Sequence, residues 1–183
     1  MVKNIAMGVV LTIAVGLIGA YFLVISGFIP ANADTKPSAL EFWMATTSLN
    51  ATLNREAPKG QNPVELTEQN LVDGLHLFAR NCAVCHGSAK SDLSPIAEGL
   101  YQKPPQFATD GVEDDPEGFS FWKIRHGIRL TGMPAWRNSL EDRQIWTLAL
   151  FLKHMDKLPP RVQQSWQQVR NWPVTSGNLM NCQ

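Results

Sequence analysis

Cys82-Ala83-Val84-Cys85-His86 is the stretch from which the rest of the chain is read. Two cysteines three positions apart, followed at once by histidine, form the C-x-x-C-H pattern of covalent haem attachment. The spacing has a chemical reason. Two thiols must reach two vinyl groups on one porphyrin edge, and the next residue must turn an imidazole onto the iron. A helix end followed by a tight loop meets both demands. A closed zinc site needs four N or S ligands, and no second C-x-x-C or H-x-x-x-H is present. A thioredoxin-like redox pair wants a βαβ setting, and the chain reads as helical throughout. The motif therefore predicts one haem c, attached through Cys82 and Cys85, with His86 as an iron ligand.

A six-coordinate iron needs a second ligand, His or Met. His76 lies in the helix that leads into the motif and is poorly placed to reach the other face of the ring. His126 and His154 remain, with Met44, Met133, Met155 and Met180 outside the N-terminal apolar segment. Met44 and Met155 fall on expected helices, where a buried Met is usually packing. Met133 stands in Thr131-Gly132-Met133-Pro134, among turn-forming residues. A thioether carried on a turn can point inward without being helix-core filler. Met133 is the expected ligand, with His126 as its rival.

Working outward, helical spacing of apolar residues predicts four helices near the motif. Pro37 to Arg55 carries Leu40, Met44, Leu49 and Leu53, with Pro37 suited to a first helical position. Phe42 and Trp43 fit either a membrane interface or the globular domain. Thr67 to Asn81 places Leu71, Leu75 and Phe78 on one face, and Phe119 to Ile128 reads as a shorter helix. Glu141 to Met155 turns Ile145, Leu148 or Ala149, and Leu152 inward and ends before Pro159-Pro160. Gly87 to Gly118 is a long loop rich in Pro, Gly, Ser and Asp; wrapping a flat cofactor would explain its length. In the tail, Val162, Trp166 and Val169 share a helical face, covering either this domain or a neighbouring subunit. No segment alternates as a strand does, so the expected class is all-α.

The N-terminus is the compositional exception. Ile5 to Ile29 holds no charged side chain over 25 residues, enough to span a hydrocarbon core of ~30 Å. That length exceeds a signal-peptide apolar region of ~7–15 residues, so a retained transmembrane anchor is expected. The rest of the chain is balanced, with 16 basic and 16 acidic residues, so no basic excess points to nucleic acid. Lys3 precedes the anchor, whereas Asp34 and Lys36 cancel just after it; this favours a cytoplasmic N-terminus. The expected organisation is an anchor over 1–33, a helical linker over 34–63, a haem domain over 64–158 and a tail over 159–183. Cys182 has no internal partner once Cys82 and Cys85 are consumed, and reads as a free or partner-linked thiol.

Residues 66–157 resemble class I, mitochondrial-type bacterial cytochrome c domains. Gly74 and Phe78 resemble the family's contact positions on its first helix, and Cys82 through Gly87 matches its C-x-x-C-H-G. Pro95 resembles the proline whose carbonyl receives the histidine ring N–H. Leu100 and Lys103-Pro104-Pro105-Gln106-Phe107 resemble the stretch that lines the haem edge, and Thr131 to Pro134 the distal-ligand turn. Trp146 and Phe151-Leu152 resemble the aromatic positions of the terminal helix. The loop from Ser88 to Ser94 lacks the glycines usual before the family's proline.

The resemblance implies the class I fold around one covalent haem, attached outside the cytoplasm. That places the domain on the periplasmic side of a bacterial inner membrane. Trp122, Lys123 and Arg129 are candidates to meet the haem propionates, against the ordinary reading of a solvated helix face. The acidic run Glu113 to Glu117 is expected as ordinary surface. Lys123, Arg125, Arg129 and Arg137, with no acid between them, are expected to make the docking face locally positive. The function read from all this is electron transfer, not enzyme catalysis, between membrane or periplasmic redox partners. A fixed subunit of a larger respiratory or photosynthetic complex is the alternative.

Overall fold

The computed structural model describes residues 2–90 and 93–169. The chain divides between Thr35 and Lys36 into two units. In the first, helix α1 spans Val2–Ile25 with a mean hydropathy of 2.5 and no buried side chain. At about 1.5 Å per residue it is long enough to cross a bilayer. It ends earlier than the run of apolar residues because Gly27, at φ +72°, turns the backbone out of the helix.

The second unit is helical in all its regular elements among the described residues. Helix α2, Ala39–Glu56, starts where the Ser38 hydroxyl accepts a hydrogen bond from the Glu41 amide at 3.2 Å. Pro37 therefore precedes the cap and is not its first helical residue. The segment expected as a linker is largely this helix, which belongs to the second unit and buries Leu53. Leu40, Phe42, Trp43 and Met44 are exposed.

Helix α3, Glu68–Asn81, is capped by Thr67, whose hydroxyl accepts from the Asn70 amide at 3.1 Å. It buries Leu71, Gly74, Leu75 and Phe78. One turn, α4, covers Ala83–His86, and α5 covers Pro95–Gly99 within the long loop. Helix α6, Glu117–His126, buries Phe121 and Ile124. Helix α7, Asp142–Lys153, begins with a reciprocal cap between Glu141 and Gln144 and buries an unbroken run from Thr147 to Leu152.

The core is the crossing of α3 on α7. A Cβ on Gly74 would lie 2.6 Å from Phe151 Cβ and 2.7 Å from the Thr147 carbonyl oxygen, so only glycine lets these backbones approach so closely. Phe78 and Phe151, both fully buried, meet beside that point with ring centroids 5.7 Å apart. Helix α8, Pro160–Trp166, then folds back over the crossing. Trp166 sets its edge against Phe78 at 5.4 Å and against Phe151 at 6.0 Å, and Val162 and Val169 are buried with it. Of the two readings of the tail, residues 160–169 cover this domain. Cys182 and Met180 lie outside the described residues.

Candidate haem site

The site is built where α3 stops. Cys82 leaves the helix with its amide still donating to the Phe78 carbonyl at 2.8 Å, and α4 follows at once. That break turns Cys82, Cys85 and His86 toward one cavity of about 450 Å³, within the roughly 300–1,000 Å³ of typical ligand sites. Met133, Leu100 and Phe107 line the same cavity. Leu49, Trp136 and Leu152 add apolar wall from three further parts of the chain.

The two thiols are free. Burial pushes Cys82 up to about 12, with the neighbouring Cys85 adding to the rise, and burial also raises Cys85. Both are therefore neutral thiols at ordinary pH. The imidazole of His86 is fixed by three contacts. Its Nδ1 lies 3.0 Å from the Pro105 carbonyl oxygen, Phe107 stacks on the ring at 4.2 Å, and the His86 carbonyl accepts from the Phe107 amide at 3.1 Å. A carbonyl can only accept, so Nδ1 carries the proton and Nε2 keeps its lone pair for a ligand. Burial lowers the His86 pKa, partly offset by that hydrogen bond, which keeps the ring neutral as a metal ligand must be.

The thioether sits on an equally tied turn. The Met133 amide donates to Thr131 Oγ1 at 3.1 Å, and its carbonyl accepts from the Ile128 amide at 3.2 Å. The Thr131 hydroxyl donates to the Ile128 carbonyl at 2.7 Å. Leu130, within this turn, holds a left-handed φ of +61° and is 91% exposed. Such a conformation costs a non-glycine residue ~1–2 kcal/mol, so the turn keeps its shape against local preference.

Several expected residues stand elsewhere. Pro95 opens α5 and does not line the cavity; Pro105 takes the role expected of it, ten residues later. The physical reason is the path of the Ser88–Ser94 loop. The Ser94 hydroxyl donates to the Val84 carbonyl and accepts from the Ala97 amide, which commits Pro95 to a helix start. Trp122 packs against His126 at 4.9 Å, Arg129 is exposed, and none of the three reaches the cavity wall. Lys123 does line it, but its ammonium pairs with Asp115 at 2.6 Å. His76 is exposed, and His154 is engaged with the Leu150 carbonyl at 2.9 Å.

The acidic run is more than solvated surface. Besides Asp115 on Lys123, the Lys153 ammonium donates to the Glu113 carbonyl at 2.6 Å, and Glu117 accepts from Asn62 at 2.9 Å. Arg125 pairs with Asp142 at 2.9 Å. Two of the four cations expected to make a positive face are thus partnered, both by acids from outside their own segment.

Leu49 and Trp136, which line the cavity, were not among the residues expected at the site. Leu49 had a signal, since it belongs to the apolar stripe of α2; what the pattern could not give was the wall that stripe faces. No group of three or more His, Cys, Asp or Glu side chains among the described residues could hold a metal ion by itself. The donor set instead fits a haem: two unpaired thiols, an imidazole with its outer nitrogen protonated, and a thioether, all on one largely apolar cavity.

Residues 69–152 match the family described as cytochrome C oxidase, cbb3-type, subunit III. No curated protein and no solved structure matches the chain. The attachment motif, the cavity that gathers its donors and the family match lead to one conclusion: the chain carries a c-type cytochrome domain of the class I fold, a haem-binding module of electron transport.

Proposed function

We propose that the chain is a membrane-anchored electron carrier with a single haem c, held covalently by Cys82 and Cys85 and ligated by His86 and Met133. The observation that carries this reading is that the His86 ring and the Met133 side chain line one cavity with both thiols. When bound, the haem supplies one-electron exchange between Fe(III) and Fe(II). The protein's part is to fix the ligands and to keep water away. Pro105 and Phe107 hold the imidazole, Thr131 holds the methionine turn, and Leu100, Ile124 and Leu152 supply apolar wall. Met/His ligation favours a raised potential, which suits a carrier delivering electrons to a higher-potential centre. A sixth ligand on Met133 speaks against peroxidase or gas-sensor chemistry, which needs an open iron site. Reduced-minus-oxidised spectra of the purified protein test the reading. The expected result is one haem per chain with a methionine–iron charge-transfer band that disappears in Met133→Ala. A second haem, or a band that survives, would overturn it.

In this reading α1 tethers the domain on the periplasmic side of the cytoplasmic membrane, where tethering raises the effective concentration of partners. Replacing residues 1–33 with a cleavable export signal is expected to yield a soluble holo-cytochrome with an unchanged spectrum, scored by fractionation without detergent. Recovery of the full-length protein in the soluble fraction would remove the anchor from the proposal.

The second reading is a fixed subunit of a larger membrane complex, favoured by the matched family being described as an oxidase subunit. Ionic strength separates the two. With Lys123 and Arg125 in ion pairs, Arg129 and Arg137 remain to steer an acidic mobile partner. Screening shortens from ~30 Å at 0.01 M salt to ~8 Å at 0.15 M. A mobile carrier should lose a few-fold in bimolecular rate over that range, less than four unpaired cations would give. A rate that does not change favours the fixed subunit.

A further inference from the structure

We propose that Gln106 is a positioning residue for the proximal histidine. Its side chain sets how firmly His86 donates its ring proton to Pro105, and through that the potential of the site. The inference rests on the reading of His86 as a haem ligand and goes beyond it, to what holds the ligand.

Gln106 lies between the two strands of chain that must stay in register. Its Nε2 donates to the Cys85 carbonyl and to the Pro104 carbonyl, both at 3.0 Å. One carbonyl belongs to the attachment turn, directly before His86. The other directly precedes Pro105, the acceptor for the His86 ring. A single amide group therefore ties the donor's neighbour to the acceptor's neighbour. The assignment of the amide is forced, because both partners are carbonyls and only the NH₂ end can donate to them. The Gln106 backbone is fixed in turn. Its amide donates to Asp110 Oδ2 at 2.6 Å, and its carbonyl accepts from the Asp110 amide at 2.9 Å.

The other end of the side chain shows how tightly this is set. Gln106 Oε1 is buried and has no hydrogen-bond partner. It lies against Gly87, where a Cβ would come within 2.5 Å of it, and Gly87 adopts φ +79°. A buried acceptor without a donor is costly, and the fold tolerates it so that the NH₂ end can make both its bonds. A glutamine serving only as loop filler would turn its oxygen to solvent or to a free amide.

The electronic consequence follows from the chemistry of ligating histidines. A firm hydrogen bond from the outer ring N–H makes the imidazole a more basic ligand, which favours the oxidised iron. Without the Gln106 tie, the Pro105 carbonyl drifts, the ring N–H is held less firmly, and the potential rises.

Gln106→Met tests this in the full-length holoprotein. Methionine has nearly the volume and flexibility of glutamine, so packing is retained. Gln106→Glu, which keeps the shape and replaces the donors with oxygen, is measured alongside as a second variant. Two readouts are taken: the exchange of the His86 ring N–H with deuterium in the reduced protein, followed by NMR, and the midpoint potential. The expected result is exchange about two- to tenfold faster, as for loss of one hydrogen bond's worth of protection, and a potential shifted upward, with the attachment spectrum intact. Unchanged exchange and potential in either variant that holds haem would overturn the proposal. A wild-type protein with no haem spectrum would instead overturn the underlying reading of the site, so the two failures are distinct.

Discussion

Met133→Ala is expected to lower the midpoint potential by tenths of a volt, within the ~0.8 V that axial ligands span, and to let carbon monoxide bind the reduced protein. The backbone of the turn does not depend on the thioether. Its hydrogen bonds run through the Met133 amide and carbonyl, to Thr131 and Ile128, and survive truncation of the side chain. Met133 is only partly buried, so the stability cost should stay modest. The variant should accordingly fold, attach its cofactor through Cys82 and Cys85, and differ in ligation alone. Redox titration and carbon monoxide difference spectra check it. His126→Ala is the control. That side chain is exposed and does not line the cavity, and its removal should leave both measurements unchanged. Movement in the control with none in Met133→Ala would reverse the ligand assignment.

Gly74→Val is expected to cost about 3 kcal/mol, the upper end of what overpacking usually costs. The gain in helix propensity on leaving glycine is under ~1 kcal/mol, too little to offset it. The added Cβ meets a side-chain carbon of Phe151 on one side and the Thr147 backbone carbonyl on the other. The carbon is the Phe151 Cβ, fixed by its own backbone, and the carbonyl is fixed in the helix, so neither can yield without shifting α7. Leu148, Phe151 and Leu152, all buried, would move with it, and Leu152 lines the haem cavity. Thermal unfolding of the oxidised holoprotein checks the size, with a loss of about 10 °C expected. Gly60→Ala is the reference, because nothing lies near a Cβ there.

The helices were legible because their cause is local. Thr67 before α3, the Glu141–Gln144 pair before α7 and apolar residues at three- and four-residue spacing are all written within a few positions of one another. The crossing at Gly74 was legible through the resemblance, and the structure supplies its reason in the Phe151 and Thr147 contacts. The long loop was not. Choosing between Pro95 and Pro105 as acceptor for His86 depends on the Ser94 hydroxyl reaching the Val84 carbonyl, ten residues back. Spacing cannot encode a bond of that kind. The charge pattern misled for the same reason. Lys123 to Arg137 reads as purely basic along the chain, yet Asp115 and Asp142 reach Lys123 and Arg125 from either side of it. Sequence proximity set the expectation, and spatial proximity decides the field.

The helix that closes over the α3–α7 crossing also sets an order of events as the chain is made. Trp166 seats on Phe78 and Phe151, and it is synthesised 84 residues after Cys82. At the usual ~5–20 residues per second, the attachment cysteines precede it by about 4 to 17 seconds. During that interval the core around Phe78 lacks its final layer. The α3–α7 crossing, whose first helix ends at the attachment cysteines, therefore gains its last apolar layer only after the rest of the haem domain has been made.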